Sequence, residues 1–197
     1  MRRGKPSLHK QYSEATAILT GDYFLTLAFD VLACAKNLTD SQKIQLVTTL
    51  SKRAGANGMI GGQVIDIEQE NKSCSLDILT EMHEKKTAAL IQCSLEFAAI
   101  IFKLDEKTTK DLSLFGKKLG IAFQVIDDIL DVTKSSNDLG KPAKSNKKNQ
   151  KSTSVLILGL EKAKNWADEL IQNALSHLPK EAVLLKKLAQ NMISCSF

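Results

Sequence analysis

The 197-residue sequence has little proline, little glycine and no long apolar run. With three prolines and ten glycines, long stretches lack the residues that break helices. The four cysteines are scattered without a CxxC pair, which argues against a zinc site or a disulfide framework and favours reduced thiols in a cytoplasmic protein. The apolar stretch at 88–102 is interrupted by Gln92 and Glu96. Because no run approaches the roughly 20 residues of a membrane span, we expect none.

The positive charge is concentrated in one segment. Residues 134–151 hold six of the 27 basic residues and one of the 22 acidic residues, so this segment has the whole net charge of +5. A single basic segment on a neutral body suits a compact anion such as a diphosphate, whereas a diffuse basic surface suits nucleic acid. A solvated loop is the alternative, and composition leaves it open. No aromatic residue lies between Asp131 and Trp166 to stack on a base, so we expect no nucleic-acid partner.

The apolar spacing predicts an all-α fold. TDSQ at 39–42 is a capping box, and Gly55 marks the end of the helix that follows. Apolar residues at 156–178 repeat at three- and four-residue steps, and Pro179 then opens a last short helix. No segment alternates with the period of a strand. Further helices are predicted near 7–19, 22–36, 82–103 and 109–134. Because the segments 86–102 and 119–132 are apolar nearly all round, we expect them to be buried on most faces.

One predicted helix has a stripe of carboxylates in apolar surroundings. The strongly polar residues of LGIAFQVIDDILDV at 119–132 are Gln124, Asp127, Asp128 and Asp131, and at 3.6 residues per turn they share a face about 100° wide. Clustered carboxylates repel one another and resist desolvation, so a hard cation is their natural partner, and Mg²⁺ commonly binds carboxylates together with substrate phosphates. A face open to water or paired with lysines is the alternative.

Three shorter segments are candidates for contact with a charged ligand. KKT at 85–87 begins a second apolar helix, where a lysine can reach a phosphate and the threonine can face a developing positive charge; a plain basic turn is the alternative. GGQ at 61–63 permits close backbone approach or marks a helix junction. The arginine pair at 2–3 is, by itself, an ordinary flexible terminus. None of the three histidines has a triad or metal partner in the sequence, so we assign them no chemistry.

In their order and spacing, these segments resemble the trans-prenyltransferase family, also called polyprenyl synthases, and within it the bacterial farnesyl diphosphate synthase (geranyltranstransferase) branch. A lone DDxxD motif would be weak evidence, but the series spans nearly the whole chain. Its members are RRGKPSLHK at 2–10, LTGDYFL at 19–25, GMIGGQVIDI at 58–67, MHEKKTAALI at 82–91, GIAFQVIDDILDV at 120–132, GK at 140–141 and KST at 151–153.

The resemblance implies an all-α, isoprenoid synthase-type helical bundle formed as one domain over 1–197, and it implies a homodimer. It also implies a Mg²⁺-dependent 1′-4 condensation of an allylic diphosphate with isopentenyl diphosphate. The metal residues it implies are Asp127 and Asp131, with Asp128 supporting them or contacting a lysine. The implied substrate residues are Arg2, Lys86, Gln124, Lys141 and Lys151 around the allylic diphosphate, Arg3 at isopentenyl diphosphate, and Thr87 and Gln63 facing the carbocation.

The sequence also departs from the family pattern. The family's first aspartate-rich motif lies just before RRGKP, and here only Met1 precedes Arg2. Asn146 stands where the family commonly has an acid, and Ser154-Val155 replaces the usual Tyr-Pro. We therefore expect an N-terminally truncated form of the fold that exposes a large apolar patch, associates or is poorly stable. Three hypotheses stay open: a synthase or its catalytic fragment, a non-catalytic diphosphate-binding partner subunit of the same fold, and an unrelated helical module that binds polyanions.

Overall fold

The computed structural model describes residues 5–133 and 152–194, with the side chains of 192–194 excepted. These two ranges contain helices and no β-strand, which confirms the all-α prediction. A π-helical segment, Glu84–Ala88, joins α5 to α6 without a break. The helices are α1 (Leu8–Gln11), α2 (Glu14–Ala33), α3 (Asp40–Ala54), α4 (Met59–Glu68), α5 (Leu76–His83), α6 (Ala89–Phe102), α7 (Glu106–Thr133), α8 (Ser154–Leu158), α9 (Leu160–Ser176) and α10 (Val183–Ser194).

Helix α7 is the centre of the described fold. It packs against α6 and against α9, and its Phe115, Ile121 and Ile129 are fully buried. Burying each such side chain contributes about 1.5–3 kcal/mol of transfer free energy. The prediction that 119–132 is buried on most faces is therefore confirmed, although Phe123 and Val132 are 48% and 46% exposed. The same prediction for 86–102 is wrong at its C-terminal end, because Phe102 is exposed.

The capping box at the start of α3 is confirmed, and it has a second role. The hydroxyl of Thr39 accepts a hydrogen bond from the backbone N–H of Gln42, and the Gln42 side chain accepts one from the backbone of Thr39. The side-chain amide of Gln42 also donates to the carbonyl oxygens of Ile100 and Ile101, at 3.0 and 3.1 Å. These carbonyls lie at the end of α6, where helical partners run out. One glutamine thus ties the start of α3 to the end of α6.

Buried pairing with Arg53 explains the two polar residues that interrupt the apolar sequence of α6. Arg53 of α3 forms an ion pair with Glu96, and its guanidinium also donates to the Gln92 side-chain oxygen at 3.2 Å. The hydroxyl of Ser113, on α7, also donates to Glu96 Oε1, at 2.8 Å. Buried polar groups need such partners. Gln92 and Glu96 therefore join α3, α6 and α7.

Several predicted helix boundaries are wrong. The first break lies at Ser13 and not near Gly21, because the Ser13 hydroxyl caps α2 by accepting from the Thr16 N–H at 3.0 Å. GGQ at 61–63 lies within α4, a helix that the sequence analysis missed. Gly159, with a φ of 83°, separates α8 from α9. The last helix begins at Val183, four residues after the predicted start.

Helix α2 has no buried residue in this structure. Its Ile18, Leu19, Tyr23 and Phe24 are 61–67% exposed, which confirms the predicted exposed apolar patch. By length and composition α2 is also the one helix of the described ranges that could cross a membrane, which is weak evidence for a span. The sequence analysis, which considered 88–102, overlooked this helix.

Candidate active site

A cavity of about 110 Å³ lies where α4, α7 and the π segment meet the chain that leads into α8. Four of the predicted site residues come together in its wall: Lys86, Gln124, Asp127 and Asp128. Residues that are far apart in the sequence therefore share one small polar cavity. The other lining residues are Asp66, Met82, His83, Ser152 and Thr153.

Two glycines allow the backbones around this cavity to approach closely. A Cβ atom on Gly62 of α4 would lie 2.2 Å from the backbone nitrogen of Lys86, and one on Gly120 of α7 would lie 2.4 Å from Cα of Ala88. Only glycine fits at such distances. Helices α4 and α7 thus both press on the π segment. Single π-helical turns within α-helices are rare and occur frequently at functional sites.

The Lys86 ammonium is oriented by a carboxylate. Its Nζ donates to Oδ2 of Asp66 at 2.8 Å, and the two side chains are 29% and 13% exposed. The lysine comes from the π segment and the aspartate from α4, so the ion pair spans the contact that Gly62 makes possible. This places one cation in the cavity wall at a defined position.

The three carboxylates of α7 have different surroundings. Asp127 is half-buried and lines the cavity, whereas Asp131 is 2% exposed and lies outside the cavity lining. Asp128 is buried, and its Oδ2 accepts hydrogen bonds from the backbone N–H and the hydroxyl of Ser154 at 2.8 and 2.9 Å. Within 5–133 and 152–194, no three His, Cys, Asp or Glu side chains form a group that could hold a metal ion. Of the three carboxylates of α7, Asp127 and Asp128 therefore line the cavity and Asp131 does not.

The bond between Asp128 and Ser154 ties the start of α8 to α7. Burial raises the pKa of Asp128 to about 6, the hydrogen bonds from Ser154 oppose this shift, and the charges of Asp127 and Asp131 add to it. Ser152, two residues before Ser154, donates a hydrogen bond to the Lys72 carbonyl oxygen at 2.9 Å. The chain that follows the basic segment is therefore held beside the cavity.

Comparison with known proteins identifies the family to which the chain belongs. The Polyprenyl synthetase family model matches residues 1–192. This chain belongs to the polyprenyl synthetase family. It is 40% identical over 182 residues to a farnesyl diphosphate synthase of Haemophilus influenzae, a match that covers 91% of this chain and 62% of that protein. It is 42% identical over 180 residues to a chloroplastic geranylgeranyl pyrophosphate synthase of Capsicum annuum, covering 90% and 49%.

Solved structures agree with the fold of this polyprenyl synthetase chain. A geranyltransferase from Helicobacter pylori, complexed with magnesium and isoprenyl diphosphate, matches with a TM-score of 0.85 and 38% identity over 98% of this chain and 64% of that one. A geranylgeranyl pyrophosphate synthetase from Pyrococcus horikoshii matches with a TM-score of 0.89 and 27% identity over 98% and 71%. The chain spans about half to three-fifths of the length of the curated relatives.

His83 is one of five cavity residues of this polyprenyl synthetase that the sequence analysis missed, the others being Asp66, Met82, Ser152 and Thr153. His83 is 3% exposed, and its Nδ1 has no hydrogen-bond partner among the described residues. The pKa of His83 is lowered to about 4, chiefly by burial and also by the charge of Lys86, while the charge of Asp66 acts in the opposite direction. The imidazole is therefore uncharged at neutral pH. The available signal was its place on an apolar helix three residues before Lys86.

The remaining predicted residues do not line the cavity or lie outside the described ranges. Thr87 is half-buried in the π segment and is not part of the cavity lining. Gln63 is exposed on α4 and is not part of the cavity lining. The four basic residues Arg2, Arg3, Lys141 and Lys151 lie outside the described residues.

Proposed function

We propose that this polyprenyl synthetase is a short-chain trans-prenyl diphosphate synthase that condenses an allylic diphosphate with isopentenyl diphosphate in a 1′-4 linkage. The observation that supports it best is the meeting of Lys86 and Asp127 in one cavity, because departure of a diphosphate requires cations and a metal-binding carboxylate together. The relatives at about 40% identity are named farnesyl and geranylgeranyl diphosphate synthases, which supports the same chemistry.

The donor set at the cavity fits Mg²⁺. This ion binds through one or two protein carboxylates and completes its shell with water and phosphate oxygens, so it needs no group of three protein ligands. Asp127 would hold it, and the resemblance implies Asp131, one turn further along α7 and outside the cavity lining, as the second ligand. When bound, the ion would neutralise charge on the diphosphate. Asp128, which already accepts two hydrogen bonds from Ser154, would support α7 beside it.

Lys86 would bind the diphosphate directly. An ammonium has three N–H donors, and one of them is directed at Asp66, so the others can donate to phosphate oxygens. Gln124, one turn before Asp128 on α7, would add a neutral donor to the same cavity. By family resemblance Arg2, Lys141 and Lys151 would complete this anion site and Arg3 would contact isopentenyl diphosphate.

The developing carbocation would lie near the π segment. Thr87 and Gln63 are the side chains that the resemblance assigns to this role. Because π-helical geometry changes the hydrogen-bonding partners of the backbone, carbonyl oxygens in Glu84–Ala88 are further candidates for stabilising positive charge.

Two measurements on the full chain test this proposal. Calorimetry with inorganic diphosphate, with Mg²⁺ and with EDTA, is expected to show binding that requires the metal and is lost in Asp127→Ala. Incorporation of [¹⁴C]isopentenyl diphosphate then measures turnover. Asp168→Ala, which removes an exposed carboxylate from α9, is the matched control and is expected to behave as wild type.

The outcomes separate the three hypotheses. Binding that is insensitive to both Mg²⁺ and Asp127→Ala would contradict the proposal and favour an unrelated polyanion-binding module. Metal-dependent binding without turnover would favour a non-catalytic partner subunit of the same fold. Metal-dependent binding with turnover supports the synthase.

A further inference from the structure

The cavity contains a carboxylate that the diphosphate chemistry does not require. Asp66 lines the same wall as Lys86 and is 13% exposed. A negative charge beside a bound diphosphate would repel it, so on charge alone Asp66 weakens the site. A side chain with that cost should have a compensating role.

The compensating contact is the hydrogen bond to Lys86. Asp66 Oδ2 accepts from Lys86 Nζ at 2.8 Å across the α4–π contact. The contact between the backbones fixes the distance between the two residues, because a Cβ on Gly62 would lie 2.2 Å from the Lys86 nitrogen. Unlike a surface ion pair between long mobile side chains, this pair joins two elements that cannot separate without losing their packing.

The neighbouring imidazole is consistent with this arrangement. His83, three residues before Lys86, is buried and uncharged at neutral pH, and both Lys86 and Asp66 lie within electrostatic reach of it. Among the described residues of this wall, Lys86 therefore supplies the positive charge. The direction in which its ammonium points depends on the group that accepts its hydrogen bond.

We propose that Asp66 is a positioning residue: it holds the Lys86 ammonium in the cavity wall so that the remaining N–H groups of Lys86 face an incoming diphosphate. This inference rests on the proposed function. Without Asp66, the Lys86 side chain would become ordered only when the ligand binds. The conformational entropy lost in that step would reduce the free energy of binding.

A double-mutant cycle on the full chain tests the inference. The variants are Asp66→Asn, Lys86→Met and the pair, and the readout is the Kd of inorganic diphosphate with Mg²⁺ by calorimetry. We expect Asp66→Asn to weaken binding about three- to tenfold and Lys86→Met to weaken it about tenfold or more. In the Lys86→Met background, Asp66→Asn should change Kd by less than about twofold. Glu68→Gln, an exposed charge change on the same helix, is the matched control.

Each other result overturns the inference. Tighter or unchanged binding by Asp66→Asn would show that Asp66 acts as a repelling charge or not at all. An equal loss with and without Lys86, or an equal loss in Glu68→Gln, would show a role in folding or net charge. If Asp66→Asn does not fold, Asp66→Glu replaces it in the cycle, with the same requirement that its effect vanish without Lys86. No metal-dependent binding by wild type would overturn the proposed function, and this inference with it.

Discussion

Replacing the buried His83 should change how folding stability depends on pH. The pKa of this histidine falls from its ordinary 6.5 to about 4 in the folded chain because burial penalises the charged imidazole. Between these two values the unfolded chain binds a proton that the native state does not. Stability from this source is therefore fully present above the unfolded pKa and is lost as the pH falls toward the folded pKa. At about 1.4 kcal/mol per pH unit, the loss is about 3 kcal/mol.

The assay is urea unfolding of wild type and His83→Met at several pH values from 7.5 to 4. Methionine is unbranched and adapts to a buried space, and it does not titrate. The wild type should lose about 3 kcal/mol relative to the variant as the pH falls through this window. Contributions from other groups, including Asp128, cancel in the difference. His9→Met, which replaces an exposed histidine of α1 by the same residue, is the matched control.

Parallel curves for wild type and His83→Met would refute the reasoning. They would mean that His83 accepts its proton equally well in the folded and unfolded chains, and hence that it is not buried and uncharged in the cavity wall. A wild type that gains stability relative to His83→Met as the pH falls would contradict it as well, since the sign would be reversed.

Two further substitutions test the packing and the charge of the site. Gly62→Ala should destabilise the fold by about 1–3 kcal/mol, because the new Cβ would overlap the backbone of Lys86. Gly21→Ala, whose new Cβ would have nothing within 4 Å, should stabilise the fold by about 1 kcal/mol. Urea unfolding measures both variants, and equal stabilities would contradict this prediction. Asp128→Asn should raise stability in metal-free buffer at neutral pH, because an amide oxygen can still accept from Ser154 without the cost of a buried charge. Its advantage should shrink as the pH falls below the raised pKa and vanish below the ordinary one, and an asparagine variant less stable at neutral pH would count against this.

Local signals in the sequence were sufficient for much of the fold. The capping box at Thr39 has its partner three residues away, so its residues predict the start of α3 directly. The burial of α7 follows from its apolar periodicity. Boundaries failed where a short-range signal was ambiguous: Gly21 suits a break but lies within α2, and the glycines at 61–62 suit a loop but serve close packing on the π segment.

The candidate site could be predicted in part. Helical spacing places Asp127 and Asp128 on one face of α7, and the structure brings both to the cavity with Lys86. Spacing could not show that Asp128 is held by Ser154, because that partner is 26 residues away and meets it only through tertiary packing. It also could not identify His83, since a histidine becomes notable only once its burial is known.

The most direct test is to locate metal and diphosphate in a crystal of the chain, with Mn²⁺ in place of Mg²⁺ so that anomalous scattering marks the ion. The account predicts an anomalous peak beside Asp127, with the diphosphate between that ion and Lys86. A metal and diphosphate bound elsewhere, with Asp127 and Lys86 turned to bulk solvent, would contradict it.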